Sequence, residues 1–275
     1  MKKRLFVAVI LVVGCWLMAC NASKKMMQQV LKAAPNPVVA HRGAWKKLGL
    51  PENSIASLRA AIALKCAGSE FDVRMTADDS LIINHDPVFH KMVIEKTSYA
   101  DLTKFSLANG EPLPTLRSYL LAGMKDNPQT KLIIEIKPSD IGKARAKMIA
   151  QKVLELVTEL GASSVVNYIS FDIDILKTIV QQNPTAIAQY LEGNVSPAGL
   201  DSFNIRGADY HFSVYHKQPK WLMEARGKHI FLNAWTVNTV EEMTWLFQHG
   251  IHFITTNEPE LLMQLWKENQ KIVIP

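Results

Sequence analysis

From residue 37 to residue 256 the chain repeats one pattern, a short apolar run followed by a longer amphipathic stretch. The runs fall at 37–41, 69–74, 131–137, 165–171, 185–191, 208–214, 229–237 and 252–256, and each reads as a strand. Helical periodicity lies between or after them. A helix capped by Asn53 or Ser54 extends to about 67, and others cover 141–160, 173–181, 218–227, 239–249 and 258–268. Runs such as Leu132-Ile133-Ile134 do not alternate strictly between apolar and polar, which predicts a parallel sheet covered on both faces. No linker, composition break or internal repeat divides the eight runs. A closed (β/α)8 barrel of ~250 residues accommodates them. An open doubly wound sheet is the alternative, but neither glycine-rich phosphate loop, G-x-G-x-x-G or G-x-x-x-x-G-K-[ST], is present.

The first nineteen residues stand outside this pattern. Lys2, Lys3 and Arg4 precede fifteen uncharged residues, Leu5 to Ala19, too few for a spanning helix of ~20 residues. A basic start followed by a short apolar stretch predicts a secretory signal at 1–19. Leu17-Met18-Ala19-Cys20 resembles a bacterial lipobox, so Cys20 is the expected lipidation site. Residues 20–35 then form a tether, with Lys24 and Lys25 near an anionic membrane surface. The protein is accordingly expected to be exported and held by lipid to a cell-envelope membrane, on the periplasmic side or at the cell surface. Removal of 1–19 leaves 256 residues. The three leader cations go with them, and the formal charge falls from +6 to +3. That near-neutral remainder, a tether followed by one domain at residues 36–275, argues against nucleic acid as a partner. Cys66, on the face of a helix with Leu58 and Ile62, is expected to be a buried structural thiol.

Ionisable residues gather at the C-terminal ends of the strands, where barrel enzymes place their chemistry. The first strand ends in His41-Arg42-Gly43, the second carries Glu70 and Asp72, and the third carries Glu135 and Lys137. Alternate strand residues share a face, so Glu70 pairs with Asp72 and Glu135 with Lys137. Inward carboxylates in an apolar barrel are costly unless paired or bound to a cation. Three of them suit a hard divalent cation, Mg²⁺ or Ca²⁺; an ion-pair set with Lys137 and Arg74 is the structural alternative. A tight turn at Asp78-Asp79 predicts a hairpin over 70–87. With Ala77 and Ser80 flanking the turn, Asp72 opposes His85 and Glu70 opposes Pro87. A slip of one residue would send His85 to the other face. Two histidines, an arginine, a lysine and a cation site together suit phosphate-ester chemistry. The serine elbow G-x-S-x-G and the zinc helix H-E-x-x-H are both absent.

His41-Arg42-Gly43, Pro51-Glu52-Asn53-Ser54, Glu70-Phe71-Asp72-Val73 and Asn84-His85-Asp86 resemble the glycerophosphodiester phosphodiesterase family in order and spacing. Pro114-Thr115-Leu116, Glu135-Ile136-Lys137, Ser170-Phe171 and Ala234-Trp235-Thr236-Val237-Asn238 continue the likeness across the mature chain. The resemblance implies a TIM-type barrel of the PLC-like phosphodiesterase type, with the hairpin near 70–87 as an elaboration. It implies hydrolysis of a small glycerophosphodiester to glycerol 3-phosphate and an alcohol, with Ca²⁺ or Mg²⁺. His41 and His85 would be the catalytic acid–base pair, and Glu70, Asp72 and Glu135 the metal ligands. Arg42 and Lys137 would contact phosphate, with Glu52 and Trp235 also on the substrate side. The alternative role of Glu52 is to cap the following helix, and that of Trp235 is plain barrel core. Two features differ from the family pattern: the 87–114 stretch is short, and Gly250 to Pro259 carries His252 and Asn257 where acidic residues are usual. Asn257 is expected to cap the last helix. Two other readings share these residues: a related barrel phosphodiesterase acting on intact phospholipid, and a tethered binding protein without catalysis.

Overall fold

A computed structural model describes residues 24–272. The strands are β1 (Val38–Ala40), β2 (Gly68–Met75), β3 (Leu81–Ile83), β4 (Val88–Phe89), β5 (Met92–Val93), β6 (Lys131–Ile136), β7 (Val166–Ser170), β8 (Ala188–Tyr190), β9 (Gly207–His211), β10 (Phe231–Trp235) and β11 (Phe253–Thr256). The helices are α1 (24–33), α2 (Ile55–Ala63), α3 (Tyr99–Leu102), α4 (Leu116–Met124), α5 (Lys143–Glu159), α6 (Ile173–Gln182), α7 (Pro197–Ser202), α8 (Phe212–Lys217), α9 (Lys220–Lys228), α10 (Val240–Gln248) and α11 (Pro259–Ile272). Parallel pairing runs β1-β11-β10-β9-β8-β7-β6-β2, and β1 also pairs with β2, so eight strands close into a TIM barrel.

Closure follows from strands that are apolar on both faces. Outward residues such as Val38, Phe71, Ile134 and Tyr210 pack against the helices in one large cluster. Inward residues Val39, Ile133, Ile169 and Leu191 form a smaller cluster inside the barrel, with Phe171, Trp235 and Phe253 against it. This apolar layer lies beneath the strand ends that carry the ionisable groups. Side-chain caps start the helices cleanly: Ser54 accepts from Ser57 N–H, and Thr239 accepts from Glu242 N–H. Cys66 is fully buried, and burial pushes its thiol up to about 12.

The 70–87 hairpin forms, but its register corrects the expected one. Val73 faces Ile83, Arg74 faces Ile82 and Met75 faces Leu81, one residue away from the predicted pairing. Three residues, not two, make the turn. Thr76 N–H donates to Ser80 O, and Asp79 takes a left-handed φ of 62°, as three-residue hairpin loops require. Asn84, rather than His85, therefore follows the ladder opposite Asp72, donating to its carbonyl. The run at 208–214 is a strand only to His211, whose side chain accepts from Ser213 N–H and caps α8. Residues 84–113 make an excursion around Ile82, Phe89, Ile94, Leu102 and Leu113.

Cys20 and the expected leader lie outside the described residues. The expected tether is helical over 24–33. Val30 and Ala33 of α1, and Ala34 just after it, line a cavity with Val39, Phe231 and Phe253 at the floor of the barrel, opposite the ionisable strand ends. No described helix is long and apolar enough to cross a membrane.

Candidate active site

The site begins where β1 stops. His41 N–H donates to Thr256 O at 3.0 Å, so the ladder holds its backbone. Arg42 then takes a left-handed φ of 55° and Gly43 a φ of 82°. A Cβ at Gly43 would come within 2.4 Å of Ser57 Oγ, so the α2 side of this turn admits only glycine. The turn aims Arg42 N–H at Glu70 Oε2 (2.8 Å) and its guanidinium at Glu52 Oε2 (2.5 Å), with Nε 3.6 Å from Asp72 Oδ2.

Glu70 and Asp72 project from β2, and Glu135, the ladder partner of Asp72, projects from β6. One oxygen of each lies within 4.8 Å of the others, and all three side chains are buried. Glu70 Oε1 has no hydrogen-bond partner. Burial, then Asp72 and Glu135, push Glu70 well above the usual carboxylate range; burial and Asp72 likewise push Glu135 up to about 7. Asp72 goes the other way. Burial opposes its charge, but Lys137 and His85 outweigh that and bring it down to about 2. Three buried carboxylates with one oxygen orphaned are a donor set for a hard cation, so the residues present fit a divalent metal. Lys137 Nζ sits 2.8 Å from Asp72 Oδ1 and 2.5 Å from Glu135 Oε1. Burial disfavours its charge, yet the two carboxylates hold its pKa above the ordinary lysine value.

His41 and His85 face the same cleft. It measures about 480 Å³ and is also lined by Arg42, Glu70, Glu135, Lys137 and Trp235. His41 Nδ1 is 2.7 Å from Asn257 Oδ1, which leaves Nε2 turned inward, 3.9 Å from Glu70 Oε2. Burial, and then Arg42, push this imidazole down to about 4. His85 reaches the cleft from the loop after β3. Its carbonyl accepts from Arg74 Nε at 2.8 Å, and its Nδ1 lies 2.7 Å from Asp86 Oδ1. Arg74, weighed from the sequence as an ion-pair partner, serves instead to hold that loop. Trp235 closes one wall, edge-on to Phe171, with its indole N–H donating to Asp209 O at 2.8 Å.

Glu52 is the outlier among the expected residues. It is only partly buried, pairs with Arg42 and stands apart from the acidic triad. It does not cap α2, which Ser54 does. Three residues carry roles that sequence reasoning missed. Asn53 clamps Asp72 from both sides, Nδ2 to Oδ2 at 2.8 Å and Oδ1 from the backbone N–H at 3.1 Å. Asp86 orients His85. Asn257 orients His41 and does not cap α11. Asn53 and Asp86 sit inside motifs already singled out, whereas Asn257 had only its unusual identity as a signal.

The sequence profile of the glycerophosphoryl diester phosphodiesterase family matches residues 41–261, a span holding every site residue above. The chain belongs to that family. Membership makes it an enzyme, a phosphoric diester hydrolase. It is 26% identical to a glycerophosphodiester phosphodiesterase of Caldanaerobacter subterraneus subsp. tengcongensis, over 83% of this chain and 96% of the relative. It is also similar to the crystal structure of a glycerophosphodiester phosphodiesterase from Parabacteroides distasonis, with 34% identity and a TM-score of 0.83 over 85% of this chain and 98% of the other. An Oleispira antarctica phosphodiesterase, solved in complex with the product sn-glycerol-3-phosphate, shares the fold at 20% identity and a TM-score of 0.75, over 86% and 98% of the two chains.

Proposed function

We propose that this chain hydrolyses glycerophosphodiesters to glycerol 3-phosphate and an alcohol, with His41 as general base and His85 as general acid. One observation carries the assignment: both imidazoles border one cleft with Nδ1 engaged, by Asn257 and by Asp86, which leaves each Nε2 for proton transfer. Neutral His41, donating Nδ1–H to the Asn257 amide oxygen, carries its lone pair on Nε2. It takes the proton of the nucleophile as the new O–P bond forms; the nucleophile is either water or the glycerol hydroxyl next to the phosphate, and in the second case water then opens the resulting cyclic phosphate to glycerol 3-phosphate. His85 gives its Nε2 proton to the leaving alkoxide as the old P–O bond breaks. Arg42 and Lys137 stabilise the charge on the non-bridging oxygens. Glu70, Asp72 and Glu135 would hold Ca²⁺ or Mg²⁺, which supplies Lewis-acid stabilisation of the phosphoryl group.

Release of glycerol 3-phosphate from glycerophosphocholine and glycerophosphoethanolamine, with and without chelator, tests this reading. His41→Ala and His85→Ala should each lower kcat by about 10²–10⁴-fold with the thermal midpoint retained. Full activity in both variants would sink the assignment. Turnover of intact phospholipid but not of the small diesters would favour the lipid-specific reading. Tight binding of a diester without product would favour the non-catalytic one. We also propose export and lipid anchoring at Cys20, on the strength of the basic start, the uncharged stretch and Leu17-Met18-Ala19-Cys20. Labelled fatty acid should enter the wild-type chain and not Cys20→Ala.

A further inference from the structure

One carboxyl group of the cleft belongs neither to the acidic triad nor to the acid–base pair. Asp209, on β9, is 1% exposed yet lines the cleft. Ile169, Phe171, Leu191 and Trp235 supply the apolar part of the same lining. Asn233, its ladder partner on β10, hydrogen-bonds the carboxyl, but Oδ1 has no partner. A buried acceptor left unpaired is rare and costly, and one turned to a cleft is a place for a ligand. Burial, and then Glu135, push the Asp209 carboxyl well above its usual range. A hydroxyl can donate to such an oxygen, and the residue stands outside the acidic triad.

The cleft has two ends. Arg42 and His85 border both it and an outer vestibule of about 660 Å³, which is lined by Glu52, Asp86 and His90 and opens to solvent. A phosphoryl group at that junction sends one ester arm outward and the other inward to Asp209. Variable alcohols fit the open side, and a small polyol fits the enclosed one. We propose that Asp209 binds the terminal hydroxyl of the glycerol arm, so that the apolar-walled inner end of the cleft is a polyol subsite. This inference rests on the phosphodiesterase reading above.

The test compares glycerophosphoethanolamine with the phosphoethanolamine diester of propane-1,2-diol, which lacks only the terminal hydroxyl. The wild-type chain should prefer the glycerol diester by about 10–100-fold in kcat/KM, the scale of leaving one buried acceptor without its partner. Asp209→Ala should erase the preference by losing turnover on the glycerol diester alone. Asp209→Asn, which keeps an acceptor oxygen at the same place, should restore most of it. Equal losses on both diesters, a preference that survives Asp209→Ala, or no preference in the wild-type chain would each overturn the subsite. If Asp209→Ala does not fold, the wild-type preference and its retention in Asp209→Asn decide. Failure of the wild-type chain to hydrolyse either diester would instead sink the phosphodiesterase reading itself.

Discussion

Single residues set proton positions at this site. His41 is oriented by an amide, and an amide partner does not favour the imidazolium form as a carboxylate would. Asn257→Asp should therefore raise the pKa of His41. Because the base must be neutral, the acid limb of kcat/KM should move to higher pH and activity at pH 6 should fall; an unmoved limb in a pH–rate profile would refute the role. His252 shows the same physics away from the chemistry. Its Nδ1 accepts from Leu232 N–H at 2.9 Å, and burial, then Arg226, push it down to about 4 from 6.5. The folded state then binds fewer protons than the unfolded state between those values. Stability from this group is complete above about pH 6.5 and declines as pH falls toward 4. His252→Asn keeps an acceptor without the titration, and should flatten that decline by about 3 kcal/mol between pH 6.5 and 4 in denaturant titrations at several pH values.

At the scale of elements, turns decide where the strand-end groups point. The His41-Arg42-Gly43 turn is braced by Ala44 N–H donating to Ser57 O at 2.9 Å, and by Ser57 Oγ donating to Arg42 O at 3.1 Å. Gly43→Ala forces a Cβ into Ser57 at a positive φ. It should cost about 2–4 kcal/mol, or roughly 5–10 °C in thermal midpoint, and lower activity with it. A midpoint within 1 °C of wild type, by calorimetry, would contradict the crowding. The hairpin teaches a complementary lesson. Periodicity placed β2 and β3 correctly, but the register depended on whether Ala77 joined the turn. Asp79 tolerates a left-handed backbone, and its carboxylate meets Arg145 on α5 at 3.2 Å, a contact no local pattern announces. His85 reaches the cleft despite the slipped register, because the loop after β3 is held by Arg74 rather than by strand pairing.

For the whole molecule, closing the barrel brings β2 beside β6 and concentrates three carboxylates in a buried place. Without a cation, protons must relieve that repulsion, as the upward shifts of Glu70 and Glu135 show. Saturating Ca²⁺ or Mg²⁺ should consequently stabilise the fold by about 2.7 kcal/mol at a hundredfold excess over Kd, raising the thermal midpoint by roughly 5–10 °C and releasing protons. Glu70→Gln should abolish both the rise and the proton release in calorimetry. A cation-independent midpoint in the wild-type chain would rule out the triad as a metal site.

The sequence alone determined the alternating strands and helices, the eightfold count that implies a closed barrel, and the residue types at the strand ends. Those features are legible because they are local: apolar runs, caps and strand alternation each depend on a few neighbouring residues. The motif likeness also picked out the histidines and carboxylates. Only the tertiary structure decided what each group touches. Asn257 lies 216 residues from His41. Asn53 reaches Asp72 across a loop, Asp209 turns an unpaired Oδ1 to the cleft, and Glu52 pairs with Arg42. Proton positions and the orphaned oxygens depend on burial and on partners distant in the chain, and closing the barrel fixes both.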